Sequence, residues 1–193
     1  MMKKLCTIIL SFILIFMLNA CSSQKVNTTN DSPEITVKAG DTEITSVVKS
    51  KSLEEVTLKK EADRMTMTGV NLEDVELFQS IMNDPSITIP YVSLGETIQI
   101  EFNETTPTTY ELVETLLSDD GTLKYKAETI ENIQLTLTNR KGSFVLDENV
   151  WAHLSSNSDD YEPEATIRGF RLICQFTDKV QEFSFIIKTD ATK

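Results

Sequence analysis

The second half of the chain alternates polar and apolar residues with a period of two, and this constrains the fold more than any other feature. In Thr97-Ile98-Gln99-Ile100-Glu101-Phe102 the apolar side chains Ile98, Ile100 and Phe102 share one side, and Thr97, Gln99 and Glu101 share the other. The pattern recurs with Ile133, Leu135 and Leu137 over Ile133 to Thr138. It recurs again with Phe183, Phe185 and Ile187 over Gln181 to Lys188, where Ile186 is the exception. Half-polar strands build antiparallel sheets with one packed face. Turn residues separate the runs at Asp119-Asp120-Gly121, Asn139-Arg140-Lys141-Gly142 and Thr177-Asp178-Lys179. The expectation is a mainly β chain folded as an antiparallel β-sandwich. Upstream, Ile35 to Lys38, Ala39-Gly40-Asp41 and Glu43 to Lys49 read as strand, turn and strand.

One segment breaks the alternation. Between Asn71 and Met82, Leu72, Val75, Phe78, Ile81 and Met82 fall on one helical face, with Asn71 as N-cap, Glu73 and Asp74 in the first turn and Pro85 beyond the end. The spacing predicts one short amphipathic helix packed on a sheet or plugging the end of the sandwich. Leu53 to Met67 fits a helix or a long polar hairpin, and Tyr110 to Leu117 fits a helix or a strand. From Glu34 onward there are roughly 160 residues, which suit a single core.

The first 21 residues carry an address. Lys3 and Lys4 precede an apolar run from Leu5 to Leu18, then Asn19, Ala20 and Cys21. The run is shorter than the roughly 20 apolar residues that span a bilayer as a helix, and has the length of a signal-peptide core. Leu18, Ala20 and Cys21 resemble the lipobox of bacterial lipoproteins. An ordinary secretory signal cut after Ala20 and an uncleaved anchor are the rival readings. The resemblance implies a signal peptide over 1–20, removed; a lipidated Cys21 opening a flexible polar tether over 21–33; and a single extracytoplasmic domain over 34–193. It also implies a diacylglyceryl group on the Cys21 sulfur and a further N-acyl group, palmitate for example. Two or more acyl chains hold a protein stably at a bilayer where one does so only marginally. The tether would span roughly 20 Å on average.

The formal net charge is −12, and loss of Lys3 and Lys4 with the signal, two positive charges, takes it to about −14. So acidic a domain repels phosphate backbones and anionic headgroups, which argues against nucleic acid as a partner and for membrane attachment through lipid alone. Of three cysteines, Cys6 leaves with the signal and Cys21 is consumed by lipid, so Cys174 stands alone and no internal disulfide can staple the domain. Alternation puts Cys174 on a face with Phe170, Leu172 and Phe176, where a buried, inert thiol is expected.

Residues that could carry chemistry are few. His153 is the only histidine, and Ser155 and Ser156 beside it lack a nucleophile-elbow pattern, so neither a hydrolase triad nor a zinc site is expected. Asp159, Asp160 and Glu162 are the weak candidates for a metal, calcium in particular, because flexible loops of oxygen ligands suit it; a solvated acidic loop is the plainer reading. Asp119-Asp120 and Asp147-Glu148-Asn149 add further acids. Trp151, Tyr161, Arg168 and Arg171 are the candidate binding residues, since aromatics and arginine are enriched at interface centres. Against that, Trp151 suits a core position, and alternation sets Arg171 on the exposed side of a half-buried strand.

From Tyr91-Val92-Ser93-Leu94-Gly95 to Lys188-Thr189-Asp190, including Leu154-Ser155-Ser156-Asn157-Ser158 and Arg168-Gly169-Phe170-Arg171, the chain resembles uncharacterised β-domains in lipoproteins of low-GC Gram-positive bacteria. The resemblance implies an immunoglobulin-like sandwich on the outer face of the cytoplasmic membrane. The function expected is a non-enzymatic binding module for an envelope protein, a peptide or a wall polymer. An envelope hydrolase working through paired carboxylates and a calcium-stabilised structural module are the alternatives.

Overall fold

The computed structural model describes residues 35–53, 71 and 74–193. The expected signal over 1–20, Cys21, the expected tether over 21–33 and the undetermined stretch from Leu53 to Met67, Leu53 apart, lie outside the described residues.

Among the described residues nine strands form two antiparallel sheets that pack face to face, the β-sandwich that alternation predicts. The first sheet carries β1 (Ile35–Ala39), β2 (Thr42–Ile44), β4 (Thr97–Phe102) and β7 (Lys141–Val145) in the order β2-β1-β4-β7. The second carries β3 (Ser46–Ser52), β5 (Thr109–Leu117), β6 (Glu131–Ile133), β8 (Thr166–Gln175) and β9 (Lys179–Thr189) in the order β3-β9-β8-β5-β6. The chain changes sheets at Thr45, which splits the strand expected over Glu43 to Lys49 into β2 and β3. Tyr110 to Leu117 resolves as strand, pairing with β8 from Thr109↔Gln175 to Leu117↔Ile167. Only Ile133 of the expected Ile133–Thr138 strand is in a ladder. Beyond it the chain leaves the second sheet for the first, and Leu135 and Leu137 pack against the core at Gly142. Asn139 and Arg140 then turn the chain with both φ positive, closed by paired hydrogen bonds between Thr138 and Lys141.

The inter-sheet core is built from the alternating residues. Ile98, Ile100 and Phe102 face Phe170, Leu172, Phe183, Phe185 and Ile187, all at or near zero exposure. Cys174 is buried among them, and desolvation pushes its thiol well above the ordinary range, which keeps it an unreactive hydrophobe.

The central strands of the second sheet, β5, β8 and β9, are buried on both faces, contrary to the one-sided packing that their polar residues imply. Helix α1 (Glu76–Met82) lies across its outer face, where Phe78 and Ile81 meet Leu117, Ile167 and Ile186. The approach is close because Gly169 carries no side chain: a Cβ there would stand 2.8 Å from Phe78 Cζ. The helix starts later than its apolar spacing suggests. Its N-cap is Val75, and Asn71 instead offers its carbonyl to Arg171 Nη2 at 3.1 Å; residues 72–73 lie outside the description. A second helix of one turn, α2 (Val150–His153), follows β7. Among the described residues no helix is long and apolar enough to cross a membrane.

The two ends of the sandwich have different contents. Ile35 pairs with Phe102, which packs edge-on against Phe176 and Phe183 near the β8–β9 hairpin. Phe144, paired with Ile98, meets Phe170 toward the other end. The chain therefore enters beside the hairpin, and the loops after β5, β7 and β9 gather at the opposite end, roughly 30 Å away by the length of a ten-residue strand.

Candidate functional site

The far end collects the acidic loops that are scattered through the sequence. Asp119 and Asp120 follow β5, Asp147 and Glu148 follow β7, and Asp159, Glu162 and Glu164 precede β8; all of these are exposed. Ladder register explains the convergence: β5 ends at Leu117 opposite Ile167, and β8 begins at Thr166 opposite Thr189 at the end of β9.

Between these loops is an open cleft of about 480 Å³ bordered by Leu117, Asp119, Lys124, Asp159, Asp160, Glu164, Ile167 and Lys188. One wall is held by Asp160. Its carboxylate takes Lys124 Nζ at 2.7 Å, Ser155 Oγ at 2.5 Å and Asn157 Nδ2 at 3.4 Å. Burial alone would raise the Asp160 carboxyl, but the hydrogen bonds from Lys124 and Ser155 and the Lys124 charge hold it below its ordinary value. The other wall is held by Asp190, which receives the Glu164 N–H at 2.9 Å and the Tyr91 hydroxyl at 2.7 Å and is lowered by them.

Of the metal candidates, Asp160 is committed to Lys124, and Asp159 and Glu162 are exposed on either side of it. Among the described residues no three side chains of His, Cys, Asp or Glu are grouped to hold an ion. The Ser155 hydroxyl is engaged by Asp160 and by the Asn157 N–H, so the neighbouring His153 does not have it as a partner nucleophile.

The four binding candidates separate into two pairs. Arg168 and Arg171 are 3% and 2% exposed, and the exposure expected for Arg171 is corrected: its side chain faces away from the inter-sheet core and is met there by the Asn71 carbonyl. Arg171 Nε donates to Glu182 at 2.8 Å. Arg168 clasps Glu114 through two bonds of 2.7 and 2.5 Å, donates to the Asp147 carbonyl at 2.6 Å and lies over the Phe170 ring. Neither guanidinium reaches solvent, and the buried carboxylates of Glu114 and Glu182 are each held by an arginine. These pairs do structural work.

Trp151 and Tyr161, by contrast, are on the surface. Trp151 is 38% exposed, which overturns its expected place in the core. The reason is local. Asn149, buried at the start of α2, accepts the N–H groups of Trp151 and Ala152 on Oδ1 and donates Nδ2 to Glu114 at 2.7 Å. That fixes the turn so that Ala152 packs inward on Leu116 and Ala191. Val150, Trp151 and Leu154 are left pointing out, Val150 at 51% and Leu154 at 65% exposure. Val150 and Leu154 stand four apart and Trp151 and Leu154 three apart, so the three share one side of the turn. The Tyr161 hydroxyl, 2.6 Å from the His153 carbonyl, ties the following segment to this turn.

Sequence reasoning missed Asn149, Glu114, Val150 and Leu154. The first was legible as an N-cap immediately before an apolar run; the buried role of Glu114 depends on partners 35 and 54 residues away. No family model, curated protein or solved structure matches this chain.

Proposed function

We propose that this chain is a membrane-anchored extracytoplasmic lipoprotein whose acidic sandwich is a non-enzymatic binding module, held at the outer face of a bacterial cytoplasmic membrane through lipid on Cys21. The observation that carries the reading is the polarity of the sandwich. The residues that follow the tether enter at Ile35, beside the β8–β9 hairpin, while the exposed Val150–Trp151–Leu154 turn and the cleft stand at the other end. A lipid at Cys21 would fix the near end and hold the far end toward the envelope. Exposed apolar side chains rimmed by polar residues are a mark of contact surfaces. The partner is an envelope protein, a peptide or a wall polymer, met by the far-end loops.

The test is capture from envelope extracts by the anchored protein, by a Leu154→Ser variant and by an anchor-and-tether control. The expected result is a component retained by the wild type and lost from both others. Recovery no greater than that of the control would end the reading.

A further inference from the structure

Three features of the molecule invite a ligand. The cleft by Lys124 is one, but its half-buried carboxylate, Asp160, is taken up by Lys124, Ser155 and Asn157. A smaller hollow of about 270 Å³ near Glu111 is another, open at the sheet edge, where Asn132 and Gln134 are exposed. The α2 turn carries the inference furthest, because two independent properties of the same surface coincide there.

The first property is apolar exposure that the fold itself enforces. Hydrophobic collapse would normally withdraw a tryptophan and a leucine, yet the Arg168–Glu114–Asn149 network anchors the turn so that the small Ala152 faces inward and the larger side chains face water. The second property is charge. Asp147 and Glu148 directly precede the turn, and Asp159 and Glu162 flank Tyr161, which is tied to it; all four are exposed. Of the lysines at this end, Lys124 is taken up by Asp160, and Lys193 donates its backbone N–H to Glu148 Oε1 at 3.0 Å, leaving that carboxylate its other oxygen. Aliphatic and aromatic surface with exposed carboxylates just before it and on the segment tied to it complements a ligand with apolar side chains among positive ones. Anionic polymers are repelled from it.

We infer that the Val150–Trp151–Leu154 turn docks a cationic, amphipathic polypeptide segment, seating its apolar side chains on the turn and its Lys or Arg side chains on the neighbouring carboxylates. The inference rests on the binding-module reading and names the partner's chemistry. Contact with the apolar trio supplies affinity through buried area, and the neighbouring carboxylates supply orientation, encounter rate and discrimination against anionic chains.

Trp151 is the only tryptophan in the chain, so its fluorescence reports this surface and nothing else. The experiment titrates the whole protein, reconstituted in phosphatidylcholine vesicles, with a short tryptophan-free helical Leu/Lys peptide and with the matching Leu/Glu peptide. A saturable blue shift is expected with Leu/Lys and none with Leu/Glu. Leu154→Ser should weaken the response about tenfold, the equivalent of losing one apolar contact. Asp159→Asn with Glu162→Gln should weaken it as well, and so should 1 M salt, where charges are screened within about 3 Å. Equal responses to the two peptides, no response to Leu/Lys, or a response indifferent to Leu154→Ser would each overturn the inference. Should that happen while envelope extracts still yield a component lost from Leu154→Ser, the partner is of another chemistry and the binding-module reading stands. If capture fails as well, both fall.

Discussion

Asn149 shows how much a single buried amide can organise. Asparagine and aspartate are equally good N-caps in general, yet here the amide nitrogen is needed as a donor to Glu114, and only asparagine supplies acceptor and donor together. Asn149→Asp is therefore expected to destabilise the fold near neutral pH by about 2–3 kcal/mol, combining a lost charge-assisted hydrogen bond with two facing carboxylates. Part of that loss should return on acidification, as read by denaturant unfolding at several pH values. Glu131 belongs to the same neighbourhood and carries the opposite sign of effect. Burial and then the Glu114 carboxylate raise its carboxyl above the ordinary value, with Arg168 opposing. A raised carboxyl contributes stability that is fully present below its unfolded-state pKa and is lost as pH rises through its folded-state pKa. Glu131→Gln should accordingly raise Tm at pH 7, with the gain vanishing as pH falls below about 4, the ordinary carboxylate range. An equal gain at both pH values would refute this account.

Among the elements, α1 is the one whose seat is most narrowly shaped. Two glycines admit it from different sides, and they differ in what would have to move. At Gly169 an added Cβ meets the ring of Phe78 and the end of Leu117, both side chains. At Gly121 it meets the backbone of Gln79 at 2.9 Å, and the residue holds φ at +79°, a region unfavourable for any residue with a side chain. Gly169→Ala should cost about 1–3 kcal/mol by overpacking. Gly121→Ala should cost more, since about 1–2 kcal/mol of backbone strain adds to a contact that no rotamer relieves. Urea unfolding of the two variants under identical conditions compares them, and the reverse order would show that the Asp119–Thr122 turn can lift away from α1. Helix α2, at four residues, has too few internal hydrogen bonds to persist by propensity. Its geometry is borrowed from the ion pair beneath it, so its exposed side chains are held in place by core residues.

For the whole molecule, the polarity of the sandwich gives the proposed anchor its meaning. A mature chain carrying about −14 charges has no electrostatic attraction to an anionic bilayer, so attachment would rest on acyl chains alone. Cys21→Ser is expected to move the protein from the membrane fraction to the soluble or unprocessed pool, and mass spectrometry of the wild type should find the acyl mass on the N-terminal peptide. A wild-type chain without acyl mass would remove the proposed address. The domain must also be stable without a disulfide, and the double-sided burial of the second sheet's central strands explains how. Phe78, Ile81 and Phe170 all lie within a two-layer core plus a third, helical layer, which gives the domain more buried apolar area than a plain sandwich of half-polar strands.

The strands at Ile35–Ala39, Thr97–Phe102 and Lys179–Thr189 and the inter-sheet core were readable from the chain because side-chain direction in a strand is a local property: Ile98, Ile100 and Phe102 must point together wherever they are placed; the sheet change at Thr45 and the exit of the chain after Ile133 were not. Cys174 was readable for the same reason. Arg171, Trp151 and the second face of β8 and β9 were not, because local pattern gives a side chain's direction and leaves open what lies in that direction. Arg171 points away from the core, as alternation requires, and is met there by the Asn71 carbonyl, which arrives from a hundred residues upstream. Trp151 is apolar and keeps 38% of its surface exposed because Asn149, Glu114 and Arg168, brought together from separate loops and strands, fix the turn that carries it by hydrogen bonds. Burial is a property of pairs of distant segments, and it exists only once the chain has closed on itself.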